Sequence, residues 1–470
     1  MSQRPGSGDV PLRVCTVGSG PSAFYATEAL QKAGLNVRVD MFDRLPTPFG
    51  LVRGGVAPDH QKIKSVVKVY EKISADPSFR FFGNVKLGRD LEVKDLERHY
   101  HAIVWAIGCE SDNRLGIPGE DLAGVHSATE FVGWYNGHPD FRDRAFDLAK
   151  ARRIAVVGNG NVAMDVSRVL LQDPEILAAT DIADHAVAAL RRSNVQEVLL
   201  LGRRGPAQAA FSPKEIEEID ELPHVDVVVT EDEARLDDYS RQWLGSQPRS
   251  AQRNVAFLEA QAQKGEGSAP KKLRCRFLVA PVEIDGGVEG NDGRVAAVRV
   301  QRAELHPDAN GTPRPRPIDR YETLPVDLVF KSIGYRGLPL PGLPFDDKKG
   351  IVPNRDGRVL RAAGGDVLPG HYVVGWAKRG PTGLVGTNSP DSKATVQELL
   401  ADVQADKVLG CGGADIAATL QQRGVDFVTW QDWQRLDAWE QEQGKARGKV
   451  RHKEPSVEAL MAAVRRLRSR

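Results

Sequence analysis

The chain has 470 residues, 41% of them hydrophobic and 27% charged, with a formal net charge of +1. That length is too great for one ordinary core and predicts two or three domains, and a charge so near zero argues neither for a nucleic-acid binder nor for an acidic scaffold. The four cysteines, Cys15, Cys109, Cys275 and Cys411, include no C-x-x-C pair; this excludes a zinc knuckle and a thioredoxin-type dithiol, leaves no metal site to expect, and fits a reduced, cytoplasmic compartment.

Residues 1–11, MSQRPGSGDVP, read as a loose polar tail with no targeting pattern. No apolar run reaches the roughly 18 residues of a membrane span. The run LRVCTVG (12–18) ends in glycine, a helical pattern follows over 22–33, and VRVDMFD (37–43) reads as a second strand. Strand, glycine turn, helix and strand make a βαβ unit. The Pro-rich stretch LPTPFGLVRGGVAPDH (45–60) is long for a connection and suggests function. AIVWAIG (102–108) reads as a buried parallel strand.

A second βαβ unit starts at Arg153 with IAVVG, has its helix from about Asn161, passes a polar stretch at 172–194 and ends in the strand VQEVLLLGRRG (195–205). Residues 214–330 predict mixed strands and charged loops, with QAQKGEGSAPKK (261–272) as a disordered segment. LVFKSIGY (328–335) meets a glycine much as AIVWAIG does, so the second unit reads as an insertion into the first, entered and left near 108–117 and 332–338. The expected architecture is α/β, with two Rossmann-like dinucleotide-binding domains: residues 12–114 and 333–470 form one, and 115–332 the other, inserted into it.

Both turns follow G-x-G-x-x-A, at Gly18, Gly20 and Ala23 and at Gly158, Gly160 and Ala163. The first glycine permits the turn, the second lets a pyrophosphate approach the backbone, and the small third residue packs helix on strand. Amides at the helix N-terminus then face the phosphates. The next strand distinguishes the two copies. Asp43 ends the first and suits the hydroxyls of an unphosphorylated ribose, as in FAD; Arg203 and Arg204 end the second and suit the 2′-phosphate of NADP(H).

With these features the sequence resembles the adrenodoxin-reductase type of ferredoxin–NADP⁺ reductase, from Leu12 to about Trp433. The segments that carry the resemblance are PFGLVRGGVAPDH (48–60), GNGNVAMD (158–165) and GWAKRGPTGLVGTN (375–388). The resemblance implies that the inserted domain binds NADP and the discontinuous one FAD. It matches Ser22, Asp43, Leu51, Val85, Trp376, Gly383, Leu384 and Val385 to FAD contacts. Asn159, Gly160, Asn161, Val162, Arg203, Arg204 and Glu215 match NADP contacts, with Gly383 also near the nicotinamide. Asp43 stands where many members carry Glu. His60 and Asp165 are implied near the flavin, in an orienting or proton-relay role. Thr387 or Asn388 is expected to cap the following helix.

The implied activity takes hydride from NADPH and passes single electrons to ferredoxin or a similar iron–sulfur protein. Flavodoxin or a quinone is the alternative acceptor, and a non-catalytic flavin scaffold the alternative function. Lys378, Arg379, Arg191 and Arg192 are candidates for docking an acidic ferredoxin. The basic segment from Lys445 to Arg470 is expected to be a loose tail or an extra contact for that partner.

Overall fold

The computed structural model describes residues 4–287, 293–412 and 414–469. Two compact units divide the chain: the first comprises Met1–Ser111, Asn136–Pro139 and Gly334–Arg470, and the second Asp112–Tyr135 and Asp140–Ile333. The second unit is therefore inserted into the first. The two-residue strands β5 (Ser111–Asp112) and β15 (Tyr335–Arg336) mark the first and last of its four crossings.

The sheet of the first unit contains β1 (Leu12–Val17), β2 (Val37–Phe42), β3 (Phe79–Phe82), β4 (Ala102–Trp105), β16 (Asn354–Arg355), β17 (Arg358–Leu360) and β18 (Val367–Val373), in the order β16-β17-β18-β4-β1-β2-β3. From β18 to β3 every pairing is parallel. Such a sheet is covered on both faces, which is why β1 and β4 read as apolar runs rather than alternating ones. All four residues of β4 are 0% exposed.

The second unit holds β6 (Val125–Ser127), β7 (Arg153–Val157), β8 (Glu197–Leu201), β9 (Val225–Val228), β10 (Lys271–Arg276) and β14 (Leu328–Lys331), in the order β6-β14-β7-β8-β10-β9 and parallel throughout. An antiparallel meander of β11 (Val279–Asp285), β12 (Ala297–Pro307) and β13 (Pro313–Pro325) adds a second, three-stranded sheet. Each main sheet runs the same way at its centre. β1 lies between β2 and β4, and β7 lies between β8 and β14. Ligands of doubly wound sheets bind beyond the carboxyl ends of strands at this switch point.

Four stretches differ from their sequence reading. Residues 4–11 are not loose: Asn36 donates its amide to the Gly6 carbonyl at 3.1 Å and its side chain to that of Gly8 at 3.0 Å; residues 1–3 lie outside the described residues. Within the polar stretch 172–194 are two helices, Pro174–Ala178 and Asp184–Leu190, whose Leu177, Ala186, Val187 and Leu190 are buried. The segment 261–272 is ordered. Helix Arg249–Lys264 runs into it, Gly265 ends that helix at φ +71, and the Ala269 amide donates to Asp226 at 2.9 Å before β10 begins. The basic C-terminal segment is a helix, Val457–Arg468, with Leu460, Met461, Ala463 and Val464 buried. Two of its arginines are paired within the chain: Arg465 and Arg468 pair with Asp426 at 2.8 and 2.7 Å, and Arg468 with Asp432 at 2.9 Å. Arg470 lies outside the described residues.

In the second unit the ring of His126 packs against Phe146 and Phe330, with centroids 4.8 and 5.5 Å away. Burial pushes its pKa down to about 4, Asp147 opposing and Arg294 and Arg144 adding to the shift. As pH falls below about 6.5 the unfolded chain takes up a proton that the folded chain refuses until about 4, so stability is lost across that window. The loss is at most about 3 kcal/mol, less for a ring in partial contact with water. Urea midpoints at pH 7 and pH 5 should differ in the parent, and His126→Phe should shrink the difference; an equal pH effect in both would refute this assignment.

Candidate cofactor sites

The two glycine turns are built alike. Gly18 has φ +100 and Gly158 φ +131. A Cβ on Gly18 would lie 2.3 Å from the Ala106 carbonyl oxygen, and one on Gly158 would lie 2.1 Å from that of Ser332. Ala106 and Ser332 directly follow β4 and β14, so the similar strand ends noticed in the sequence are the floors of the two turns. Gly20 and Gly160 are the N-caps of helices Pro21–Gln31 and Asn161–Leu171, and neither has a side-chain cap. A Cβ on either would meet nothing within 4 Å. Protein packing therefore does not require glycine there, whereas a phosphate approaching the free amides does. Ala23 and Ala163 are both 0% exposed, as helix-to-sheet packing demands.

Around the first turn, Asp43 follows β2 and its carboxylate is already organised. The Ser19 amide donates to Oδ2 at 3.1 Å, the Ser19 hydroxyl donates to the same oxygen, and the Leu45 amide donates to Oδ1 at 2.9 Å. Burial raises its pKa, with the Ser19 and Leu45 bonds and Arg44 opposing. Val85, buried, donates its amide to the Asp43 carbonyl at 2.9 Å. Ser22, also buried, lies in the first turn of the helix, its carbonyl bonded by the Ser392 hydroxyl at 2.9 Å.

The PFGL segment closes on this turn. Phe49 donates its amide to the Ser19 carbonyl at 3.0 Å, and a Cβ on Gly50 would come within 3.1 Å of Gly20 Cα. Phe49 has φ +85, a conformation that costs a non-glycine residue energy and marks a functional constraint. Its ring is held among Phe24, Tyr70, Trp430 and Trp433. Leu51, next in sequence, starts the short helix Leu51–Gly54 and is exposed.

The GWAKRGPTGLVGTN segment belongs to the same unit. The Gly375 amide donates to Asp391 at 2.7 Å, and a Cβ on Gly375 would meet Ser22 Oγ at 2.6 Å. Trp376 packs on Tyr335, centroids 5.2 Å apart. Gly383 has φ +81, Leu384 is 67% exposed, and Val385 opens one turn of 3-10 helix. Thr387 does not cap the helix Asn388–Gln404; its hydroxyl accepts from the Leu384 amide at 3.1 Å, and Asn388 donates to the Val385 carbonyl at 3.1 Å.

Lys378 and Arg379 are not a free docking face. The Lys378 ammonium is turned inward onto Asp391 at 3.1 Å and Thr395 at 3.0 Å. Arg379 donates to Asn388 at 3.0 Å, while its Nε and Nη1 are buried without a partner among the described residues. Arg191 pairs with Glu175 at 2.8 Å on the surface of the second unit.

In the second unit the Asn159 carbonyl accepts from the Ala210 amide at 3.1 Å, and its Nδ2 is buried without a partner among the described residues. Asn161 accepts from the Ser212 amide at 2.8 Å, and Val162 packs at the edge of the core. Asp165 and Glu215 share the buried Arg168, at 2.6 and 3.0 Å. Arg203 and Arg204 follow β8, and neither side chain has a partner among the described residues. Burial lowers the Arg204 pKa, and the like charges of Arg314 and Arg203 add to the shift. A cavity of about 350 Å³ is lined by both, with Arg302 and Arg314. Of the remaining sequence candidates, His60 lies in the first unit, 8% exposed at the start of the helix Gln61–Lys64, and Gly383 lies there too, apart in sequence from the other NADP candidates.

These donors fit two dinucleotides: unpartnered buried nitrogens on Asn159 and Arg379, and open space over the second glycine of each turn. No model of a protein family matches the chain. The chain is 43% identical over 457 residues to the NADPH-ferredoxin reductase FprA of Mycobacterium leprae, covering 95% of this chain and 97% of that protein. The chain belongs to this reductase family. It is also 39% identical to the mitochondrial NADPH:adrenodoxin oxidoreductase of Arabidopsis thaliana, covering 96% and 95% of the two chains. A solved structure of Mycobacterium tuberculosis FprA in complex with NADPH superposes with a TM-score of 0.89 at 42% identity, covering 97% of this chain and 99% of that one. No helix among the described residues is long and apolar enough to cross a membrane.

Sequence reasoning missed Ser19, Asp391 and the backbone of Phe49. The last had a signal, since PFG places a bulky residue beside glycine in a loop that must turn sharply.

Proposed function

We propose that this chain is an FAD enzyme that oxidises NADPH and reduces ferredoxin or a similar iron–sulfur protein, working in the cytoplasm. The observation that carries the reading is the pair of like-built turns with unlike partners: a carboxylate, Asp43, beside the first, and two unpaired guanidiniums, Arg203 and Arg204, beside the second. Bound FAD supplies the chemistry, taking a hydride and releasing electrons singly. The chain binds and orients. Gly18 and Gly20 admit the FAD pyrophosphate, Asp43 takes the ribose, and Ser22, Leu51, Val85, Trp376, Gly383, Leu384 and Val385 form the walls. Gly158 to Val162 take the NADP pyrophosphate, and the Arg pair takes the 2′-phosphate. Glu215 and Asp165 hold Arg168 and so fix the first turns of the NADP helix, and His60 orients the flavin loop that it ends.

Anaerobic NADPH should bleach the flavin within the enzyme's turnover time, and the reduced protein should then reduce ferricyanide and ferredoxin but no disulfide. An unbleached flavin supports a scaffold instead. Faster reduction of flavodoxin or a quinone than of ferredoxin would transfer the reading to those acceptors.

Asp43→Ala should purify with much of its flavin missing, because the alanine leaves the ribose without its acceptor and frees the Ser19 and Leu45 donors. Flavin absorbance per chain measures it, and parental content in the mutant would refute the assignment.

A further inference from the structure

The cavity beside Arg203 and Arg204 has a wall that the dinucleotide-binding fold does not itself supply. It comes from the added three-stranded sheet: Ala280 of β11, Arg302 of β12 and Arg314 of β13 line the same space. Backbone bonds fix that sheet to the strand end carrying the Arg pair. Val279 donates to the Gly202 carbonyl at 3.1 Å, Leu278 to that of Arg204 at 3.1 Å, and Ala303 to that of Leu278 at 2.9 Å.

The four arginines of the cavity differ in what they already hold. Arg302 is neutralised: it bonds Glu233 at 2.8 Å and lies 3.7 Å from Glu322, and these two carboxylates are shared with Arg276. Arg203 and Arg204 have no partner among the described residues. Arg314 is intermediate. Its Nε donates to Asp308 at 2.9 Å, and its two Nη groups have no partner among the described residues. Asp308 is itself fixed by the turn joining β12 to β13, accepting from the amides of Asn310 at 2.9 Å and Thr312 at 3.0 Å. The turn therefore orients the carboxylate, and the carboxylate orients one edge of the guanidinium while leaving its other donors free.

The strand that carries Arg314 is shaped for this use. Pro313, Pro315 and Pro317 alternate along β13, where Arg314 pairs with His306 and Arg316 with Glu304 across the ladder. Proline has no N–H to give, so it is tolerated on an edge strand only at positions turned away from the neighbour. The alternation keeps the ladder bonds of the intervening arginines and removes donors from the outer edge, which blocks pairing with another chain. Arg314 lines the cavity from this edge strand.

We propose that Arg314 is a third ligand for the 2′-phosphate of NADP(H), a specificity-determining residue contributed by the added sheet. This rests on the reading of the second turn as the NADP(H) site. A phosphate dianion placed among Arg203, Arg204 and the free edge of Arg314 relieves the mutual repulsion of three guanidiniums and receives charge-assisted hydrogen bonds from each. The cavity, about 350 Å³, has room for the phosphorylated ribose and not only its phosphate. The Arg314 side chain is 53% exposed, so its share is smaller than that of the Arg pair and is screened by salt.

The test uses the full-length flavoprotein and calorimetric titration with 2′,5′-ADP, against 5′-AMP as the probe lacking the 2′-phosphate. At low ionic strength Arg314→Ala should weaken 2′,5′-ADP by about fivefold and leave 5′-AMP unchanged. Arg314→Lys should recover part of the loss, and the loss should shrink at 0.5 M salt. Arg316→Ala, a neighbouring charge outside the cavity, should change neither ligand. Unchanged 2′,5′-ADP binding in Arg314→Ala, alongside a large loss in Arg203→Ala/Arg204→Ala, overturns this proposal and leaves the NADP(H) reading standing. No loss in either variant overturns the NADP(H) reading itself. An equal loss of both ligands, or an equal effect of Arg316→Ala, also overturns the proposal by showing a general rather than a 2′-phosphate effect.

Discussion

Replacing Arg203 and Arg204 together with alanine is expected to cut the preference for NADPH over NADH by about two to four orders of magnitude. Hydrogen bonds to a charged group contribute roughly 1.5–3 kcal/mol each, and every 1.4 kcal/mol is about tenfold; solvent screening at a partly open site places the result toward the lower end. The structure adds a reason for the size. Neither arginine is neutralised by a carboxylate among the described residues, and burial together with Arg314 and Arg203 already disfavours the charge on Arg204. An anion at this point gains two donors that no internal partner competes for. The ratio of kcat/KM for the two nucleotides measures the effect. The loss should fall on NADPH, with NADH nearly unchanged, and an unchanged ratio would mean that the second turn does not read the 2′-phosphate.

The parts of this molecule legible in its sequence are those fixed by local geometry. Gly18 and Gly158 announce themselves because each sits at positive φ with a carbonyl where a Cβ would be, and no other residue serves. Asp43, Arg203 and Arg204 are legible because a parallel strand delivers its last residues to a fixed place beside the turn. What depends on distant packing was not legible. The C-terminal Arg465 and Arg468 look like a solvated basic tail until Asp426 and Asp432 are seen opposite them. QAQKGEGSAPKK looks disordered by composition, yet Lys272 and Arg274 bind Glu266 at 3.2 and 3.0 Å and hold the segment to the sheet. Lys378 and Arg379 show the same limit from the other side: as a Lys-Arg pair they suggest a docking face, but Asp391, 13 and 12 positions later, and Asn388 turn them inward. Charge in a sequence gives no direction until its partner is placed.

That limit matters most at Glu440, whose replacement should empty the flavin site from a distance. Glu440 lies on the helix Trp430–Lys445, is 0% exposed, and receives Arg53 through two bonds of 2.6 and 2.8 Å. Arg451 joins at 3.1 Å. Burial pushes the Glu440 pKa up, but Arg53 and Arg451 outweigh it and hold the carboxyl below its ordinary value, so it is ionised at neutral pH. Arg53 belongs to the PFGLVRGG segment, and its carbonyl is bonded by the buried Lys453 at 3.0 Å. Its guanidinium also stacks on Trp433, 5.4 Å from the ring centroid, and Trp433 is one of the rings that hold Phe49 over the first glycine turn. Removing one partner of a buried ion pair costs about 3–5 kcal/mol, because the other charge is left without compensation. Here the orphaned charge is Arg53, so the cost falls on the loop whose strained Phe49 must be kept in place. Glu440→Ala is therefore expected to lower the thermal midpoint and to yield mostly flavin-free protein. Arg53→Met/Glu440→Leu, which removes both charges and fills the space, should regain stability and flavin relative to Glu440→Ala. Flavin content and thermal midpoint measured on the three proteins decide the matter: a Glu440→Ala protein with parental flavin and melting would show that the helix Trp430–Lys445 does not support the cofactor loop.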